Sequence, residues 1–279
     1  MSTRRLLAAL AATVLVLSGC SSDGGDEAVR TVDETTTSTV PELSPAEVVR
    51  AAADAPSQHE TVTTEMVIEV DGELFMRTAG TSSIDHLQGD AVVETNGVEF
   101  RMLLVDGDYY YQYPAMPPGY EWVSLSGADV AEMSGVDASA AGGADPTRML
   151  EMLTAVSDDL EPLGTEELFG VTVQGYRATV SGDVMVQGNV EMGVFSPEMA
   201  EQMSEMVPDS FDIEVWIDGD GLPRRQAWTL DMPAGPGGQM STFDYRIDFS
   251  EWGASLDVSA PDPAVVMSMQ EFLATTTGG

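Results

Sequence analysis

One cysteine, two histidines and seventeen methionines supply the soft and nucleophilic side chains of this 279-residue chain, and their spacing decides what chemistry is open to it. Cys20 ends the sequence Leu17-Ser18-Gly19-Cys20, behind Arg4, Arg5 and an apolar stretch from Leu6 to Leu17. A positive start, a short apolar run and small residues before a cleavage point are the parts of an export signal, and the run is too short to span a bilayer as a mature helix. A lone cysteine excludes an internal disulfide. At the end of L-[AS]-[GA]-C its thiol is placed to take a diacylglycerol thioether once residues 1–19 are removed, which predicts a membrane anchor on the extracytoplasmic face of the cell membrane. One acyl chain holds a protein only marginally, so stable anchoring implies further acylation, palmitate being the common choice.

The remaining soft and charged groups point to no catalytic centre. His59 and His86 are far apart in sequence, with neither G-x-S-x-G nor H-E-x-x-H around them, so hydrolytic chemistry is not expected and the chain is read as a non-enzyme needing no cofactor. Methionines at helical spacing outside the cytoplasm can hold Cu(I) through thioether sulfur, but no histidine accompanies them, which leaves a copper chaperone as a distant reading. Asp218-Gly219-Asp220-Gly221 opens like a calcium loop, yet no Glu follows at the required distance and Leu222-Pro223 resumes a strand; it reads as a hairpin turn, and no metal site is expected.

Eleven basic residues less Arg4 and Arg5 leave nine arginines against 47 carboxylates, a net charge near −38, and there is no lysine. Such a surface repels phosphate backbones and anionic headgroups, so nucleic acid is excluded as a partner. Residues 20–43 carry the acylated Cys and then Ser, Thr, Gly and acidic residues with the run Thr35-Thr36-Thr37-Ser38-Thr39, a disordered stalk with a reach of roughly 25 to 30 Å. Residues 44–279 then suffice for one domain with a sizeable core.

Strand patterns dominate that domain. Val62, Thr64, Met66, Ile68 and Val70 alternate with polar residues up to Asp71-Gly72; Leu74 to Ser82 returns. Val98, Phe100, Met102 and Leu104 repeat the pattern up to Asp106-Gly107, and Tyr109 to Tyr113 comes back. Further strands are expected over 171–180, 211–218, 222–232, 240–249 and 255–260, joined by turns too short for parallel crossovers. A capping residue before proline marks four helix starts: Ser44-Pro45, Asp145-Pro146, Ser196-Pro197 and Asp262-Pro263, with Ser44 and Glu47 forming a capping box. The second helix gathers Met149, Met152 and Leu153 on one face, the third Met199, Met203 and Met206. The Gly- and Ala-rich stretch from Ser134 to Ala144 reads as a loop within the domain.

The lipobox, the Thr-rich stalk, Asp145-Pro146-Thr147-Arg148-Met149-Leu150, the strand from Gly170 to Gly182, the hairpin V-W-I-D-x-x-G-L-P-R-R from Val215 to Arg225, Trp252-Gly253 and the closing Pro261 to Pro263 together resemble the LppX and LprG lipoproteins of actinobacteria. The resemblance covers roughly Ser44 to Phe272 and implies an α+β fold akin to the LolA and LolB carriers. That fold is a curved antiparallel half-barrel sheet with about four short helices on its concave side, enclosing an apolar cavity. It also implies lipid binding and lipid transport in the cell envelope. The acidity and methionine content of this chain depart from that pattern, so the lipid itself does not carry over.

Moving a sixteen-carbon tail from membrane to water costs about 12 kcal/mol at roughly 0.8 kcal/mol per methylene, so an apolar cleft removes the main barrier to transfer. Methionine suits such a cleft because it is unbranched and adaptable. The expected lining is Met66, Ile68, Phe100, Met102, Phe211, Ile213 and Val215 from strands, with Met149, Leu153, Met199 and Met203 from helices. The expected partners are an acylated glycerolipid or glycolipid, the membrane through the anchor, and an envelope lipid-export transporter. The alternative is an envelope scaffold or sensor with a solidly filled sheet and an acidic surface that binds a protein.

Overall fold

Asp71-Gly72, Asn96-Gly97 and Asp106-Gly107 each take positive φ at both positions. This is the two-residue geometry whose twist matches antiparallel strands, and Asp and Asn tolerate it better than other non-glycine residues. In the computed structural model these turns join β1 (Thr61–Val70) to β2 (Glu73–Ser83), β3 (Gln88–Thr95) to β4 (Val98–Val105), and β4 to β5 (Asp108–Gln112), with β6 (Trp122–Leu125) completing a first meander. A second meander comprises β7 (Glu161–Leu168), β8 (Val171–Ser181), β9 (Ser210–Asp218), β10 (Pro223–Ala234) and β11 (Gln239–Ser250). The two join edge to edge where β1 pairs with β11, and β12 (Val266–Ser268) adds a short strand beside β6. The structure describes residues 43–134, 160–191, 195–234 and 239–277, together with Thr147, Leu150, Leu153 and Thr154.

The result is one curved, open sheet in the order β12-β6-β5-β4-β3-β2-β1-β11-β10-β9-β8-β7, within an α+β fold. Every pairing is antiparallel except β12 with β6, which is parallel. That exception corrects part of the sequence reading. The residues expected as a strand over 255–260 have no ladder partners, and the position beside β6 is taken by Val266–Ser268. The helix expected at Asp262-Pro263 is a single 3-10 turn (Pro263–Val265), capped by the Asp262 carboxylate accepting from Ala264 N–H at 2.9 Å. The chain must extend at once to form β12, so a helix starts only after Ser268, whose hydroxyl accepts from Glu271 N–H while its own N–H donates to the Glu271 carboxylate.

Five helices have defined bounds among the described residues: α1 (Pro45–Asp54), α2 (Gly127–Ser134), α3 (Gly182–Glu191), α4 (Pro197–Ser204) and α5 (Met269–Thr277). Ser44 and Glu47 make the expected reciprocal capping box at α1. Ser196 caps α4 by accepting from Met199 N–H at 3.2 Å. Met206 lies past the end of α4 rather than on its face. The Asp145-Pro146 start and all of the 134–144 stretch except Ser134, the last residue of α2, lie outside the described residues; Thr147, Leu150, Leu153 and Thr154 are helical.

Alternation along each strand separates two faces. Val49 and Ala52 of α1, with Leu150 and Leu153, pack on Tyr176, Ala178, Val180, Phe211, Ile213, Val215, Ile217 and Leu230. Each large aliphatic side chain enclosed there contributes roughly 1.5–3 kcal/mol. A second cluster joins Val62, Ile247 and Phe249 with Met66, Ile84, Trp228 and Trp252. The opposite face is ionic: Arg77 pairs with Glu65 at 2.6 Å, Arg101 with Asp90 at 2.6 Å, Arg177 with Glu214, and Arg225 with Asp248 at 2.6 Å. No helix among the described residues is long and apolar enough to cross a membrane.

Candidate functional site

Following the register from β11 to β5 traces a surface almost without charge. On one face β11 presents Phe243, Tyr245, Ile247 and Phe249, paired with Val70, Ile68, Met66 and Thr64 of β1. Across β2 and β3 the same face carries Met76, Thr78 and Gly80 against Thr95, Val93 and Ala91. It continues through Val98, Phe100, Met102 and Leu104 of β4 to Tyr109 and Tyr111 of β5. On this face from β11 to β5 the strands carry one charged residue, Glu73 opposite Val70 at the exposed β1–β2 hairpin end, although charged residues make up 21% of the chain. Its width is five inter-strand gaps, about 24 Å at the usual strand spacing.

Two banks of aromatic rings border a flexible aliphatic floor. On β4 and β5, Phe100 lies 6.2 Å from Tyr111 and 5.0 Å from Tyr113, and Tyr113 stacks on Phe272 of α5 at 5.3 Å. On β10 and β11, Trp228 stacks on Tyr245 at 5.1 Å and Phe243 lies 6.5 Å from Tyr245. Between the banks Met66, Ile68, Met76 and Met102 are half-buried. Burial raises the pKa of the Tyr109, Tyr113 and Tyr245 hydroxyls, and that of Tyr111 is pushed up to about 12 by burial and by Tyr109 and Tyr113 beside it. All four are therefore neutral at physiological pH. An uncharged surface of rings, thioethers and methyl groups suits alkyl chains and offers nothing to an ionic ligand.

The expected lining residues divide by location. Met66, Ile68, Phe100 and Met102 lie on the half-buried floor and its aromatic border. Phe211, Ile213, Val215 and Leu153 are enclosed by protein in the cluster under α1. Met199 is exposed and Met203 half-buried on α4. Cys20 and Met149 lie outside the described residues. Sequence reasoning missed Met76, Tyr111, Phe243 and Tyr245, although the alternation it used on β1 and β4 also runs through β2, β5 and β11.

No protein-family model matches the chain, and no curated protein does. Among solved structures the chain is similar to the Mycobacterium tuberculosis lipoprotein LppX, with 17% identity, coverage of 77% of this chain and 97% of that one, and a TM-score of 0.47. It is also similar to LprF from Mycobacterium bovis, at 15% identity, 78% and 96% coverage and a TM-score of 0.48. A chain of the Pseudomonas aeruginosa MucA/MucB complex matches at 13% identity, 75% and 58% coverage and a TM-score of 0.32. The first, LppX, is one of the two lipoproteins that the sequence motifs resemble.

Other concavities have different chemistry. A cleft of about 650 Å³ opens on the ionic side of β8–β11 and β1, where Arg177, Glu214, Arg246, Glu69 and Asp244 line it. Charged walls make it a poor host for a tail. Another of about 930 Å³ lies between Tyr110, Leu125 and Met267 and the Leu273 side of α5. Among the described residues no group of three His, Cys, Asp or Glu could hold a metal ion.

Proposed function

We propose that this protein is a lipid-anchored, extracytoplasmic carrier that shelters the acyl chains of a glycerolipid or glycolipid on the largely apolar face between β11 and β5. The supporting observation is the segregation of charge: apart from Glu73 at the β1–β2 hairpin, six adjacent strands of a strongly acidic chain carry no ionised group on one face, and Met66, Ile68, Met76, Phe100 and Met102 there are half-buried rather than sealed. Such a face lowers the cost of taking a tail out of a membrane, while the neutral tyrosine hydroxyls provide hydrogen-bonding groups at the level of an ester or sugar. In this reading residues 1–19 are removed, Cys20 is acylated, the chain up to residue 43 is a tether, and the domain exchanges lipid with an envelope transporter.

Native mass spectrometry of the chain expressed from Ser21 tests the proposal. The expected result is an added mass that organic solvent extracts and that fragments as an acylated lipid. A clean apoprotein mass, persisting after incubation with phospholipid vesicles, overturns it and favours a scaffold that binds protein through its acidic surface.

A further inference from the structure

Antiparallel strands bring the β1–β2 and β3–β4 turns and the start of β11 to one end of the sheet. Leu74, Phe75, Val98 and Met240 sit there, and all four are exposed, Met240 by 56%. The register makes them neighbours along one rim: Phe75 C=O accepts from the Thr95 hydroxyl, Thr95 pairs with Val98, and Asp71 exchanges hydrogen bonds with Thr242 of β11. At the same end β8 runs into α3 and the chain returns from α4 into β9, with Gly182 N–H donating to Asp209 C=O. Exposed Met199 and Met206 belong to that return. The opposite end also exposes Leu87 and Phe169, but far apart in the strand order rather than as one rim: Ser83, Asp85 and Leu87 form a hydrogen-bonded loop, Asp218 closes the β9–β10 turn, and Phe169 sits at the β7–β8 edge.

Apolar side chains gathered at hairpin tips, beside the open edge of a largely apolar face, fit a bilayer better than a protein groove. Single turns can sink to the depth of the first acyl carbons without ordering a partner. We propose that this rim is the docking surface by which the domain inserts into a bilayer of uncharged or zwitterionic headgroups, placing the floor of the sheet over the lipid to be lifted. The inference rests on the carrier reading above and deepens it. Charge sets the lipid preference. Asp71, Glu73 and Glu99 stand among the apolar tips, so anionic headgroups oppose docking and added salt, by screening them, favours it.

The test uses the full chain with Cys20→Ser, which leaves no other thiol, and a single new cysteine at either end: Val98→Cys on the rim or Leu87→Cys at the far end. Each carries an environment-sensitive fluorophore and is mixed with phosphatidylcholine vesicles containing doxyl-labelled lipid as quencher. Whatever segment holds the chain on the vesicle, the label reports which end meets the bilayer. The expected result is a blue shift and about a threefold loss of emission at position 98, little change at 87, and weaker quenching on phosphatidylglycerol that recovers with salt. Adding Leu74→Glu and Phe75→Glu should abolish the quenching at 98. Equal quenching at both positions, quenching at neither, or quenching that survives the double substitution overturns the docking rim. A rim that fails while the lipid adduct is still seen by mass spectrometry leaves the carrier reading standing; loss of the adduct with the rim intact does the reverse.

Discussion

Trp228 and Tyr245, directly paired across β10 and β11, stack with ring centroids 5.1 Å apart and planes 8° from parallel. On the far side of Trp228 its β9 partner is Ile213, fully buried under the helices. On the far side of Tyr245 its β1 partner is Ile68, half-buried. One row of four side chains thus crosses from a closed core to an open floor, and the stacked rings are the border.

Two isoleucines in one row provide a matched comparison. Ile213→Ala leaves a cavity in packed surroundings and should cost about 3–4 kcal/mol, whereas Ile68→Ala removes contacts only on one side and should cost about 1 kcal/mol. Urea unfolding of the two variants measures the difference. Equal losses would mean that the floor at Ile68 is as tightly packed as the core.

Tyr111 makes stability depend on alkaline pH. Its folded pKa is raised to about 12, above the ordinary value of 10, so the neutral form is favoured by the fold. The stabilisation is complete below pH 10, where neither state ionises, and is lost as pH rises from 10 towards 12 because the unfolded chain releases the proton first. Unfolding followed across this window should show stability falling, with a shallower fall for Tyr111→Phe. Identical slopes would place the shift elsewhere in the tyrosine bank.

How far the sequence disclosed this arrangement depended on whether each element is shaped locally. Asp-Gly turns and the Ser44–Glu47 box depend on a few adjacent residues, and both formed as expected. Period-2 alternation placed Met66, Ile68, Phe100 and Met102 on a shared face, because register carries one strand's parity to the next. It could not tell Ile213 from Ile68, since which strands the helices cover is settled by packing across the whole domain. β7 was missed because Glu161–Leu168 is an almost wholly exposed edge with no alternation to read, and β12 because three residues give no period. α3 begins at Gly182 without the proline that marked the other expected helix starts, and it carries a second glycine, Gly188, so its local signal is weak.

Asp218 shows how an apparent calcium loop is held by a different cation. Its carboxylate accepts from the Asp220 and Leu222 N–H groups, both at 2.9 Å, and from Arg224 Nε at 2.6 Å, with Asp218 almost fully enclosed. Asp218→Ala leaves Arg224 half-stranded and two turn amides unpartnered, which should cost about 3–5 kcal/mol in unfolding experiments. Added Ca²⁺ should not restore the loss. Rescue by the metal would show that the turn binds cations after all.

Charge on the floor is the sharpest probe of the carrier reading. Ile68→Glu puts a carboxylate among Met66, Met76 and Tyr245, where a bound tail would have to cover it, and an uncompensated charge in apolar surroundings is strongly disfavoured. Because Ile68 is only half-buried, the carboxylate can reach water in the empty protein, so the fold survives while tail binding does not. The extractable adduct seen by native mass spectrometry should fall at least about tenfold, equivalent to some 1.4 kcal/mol. Glu65→Gln, on the opposite face of the same strand, should leave it unchanged. An adduct that persists in Ile68→Glu and disappears in Glu65→Gln would move the lipid to the ionic face of the sheet.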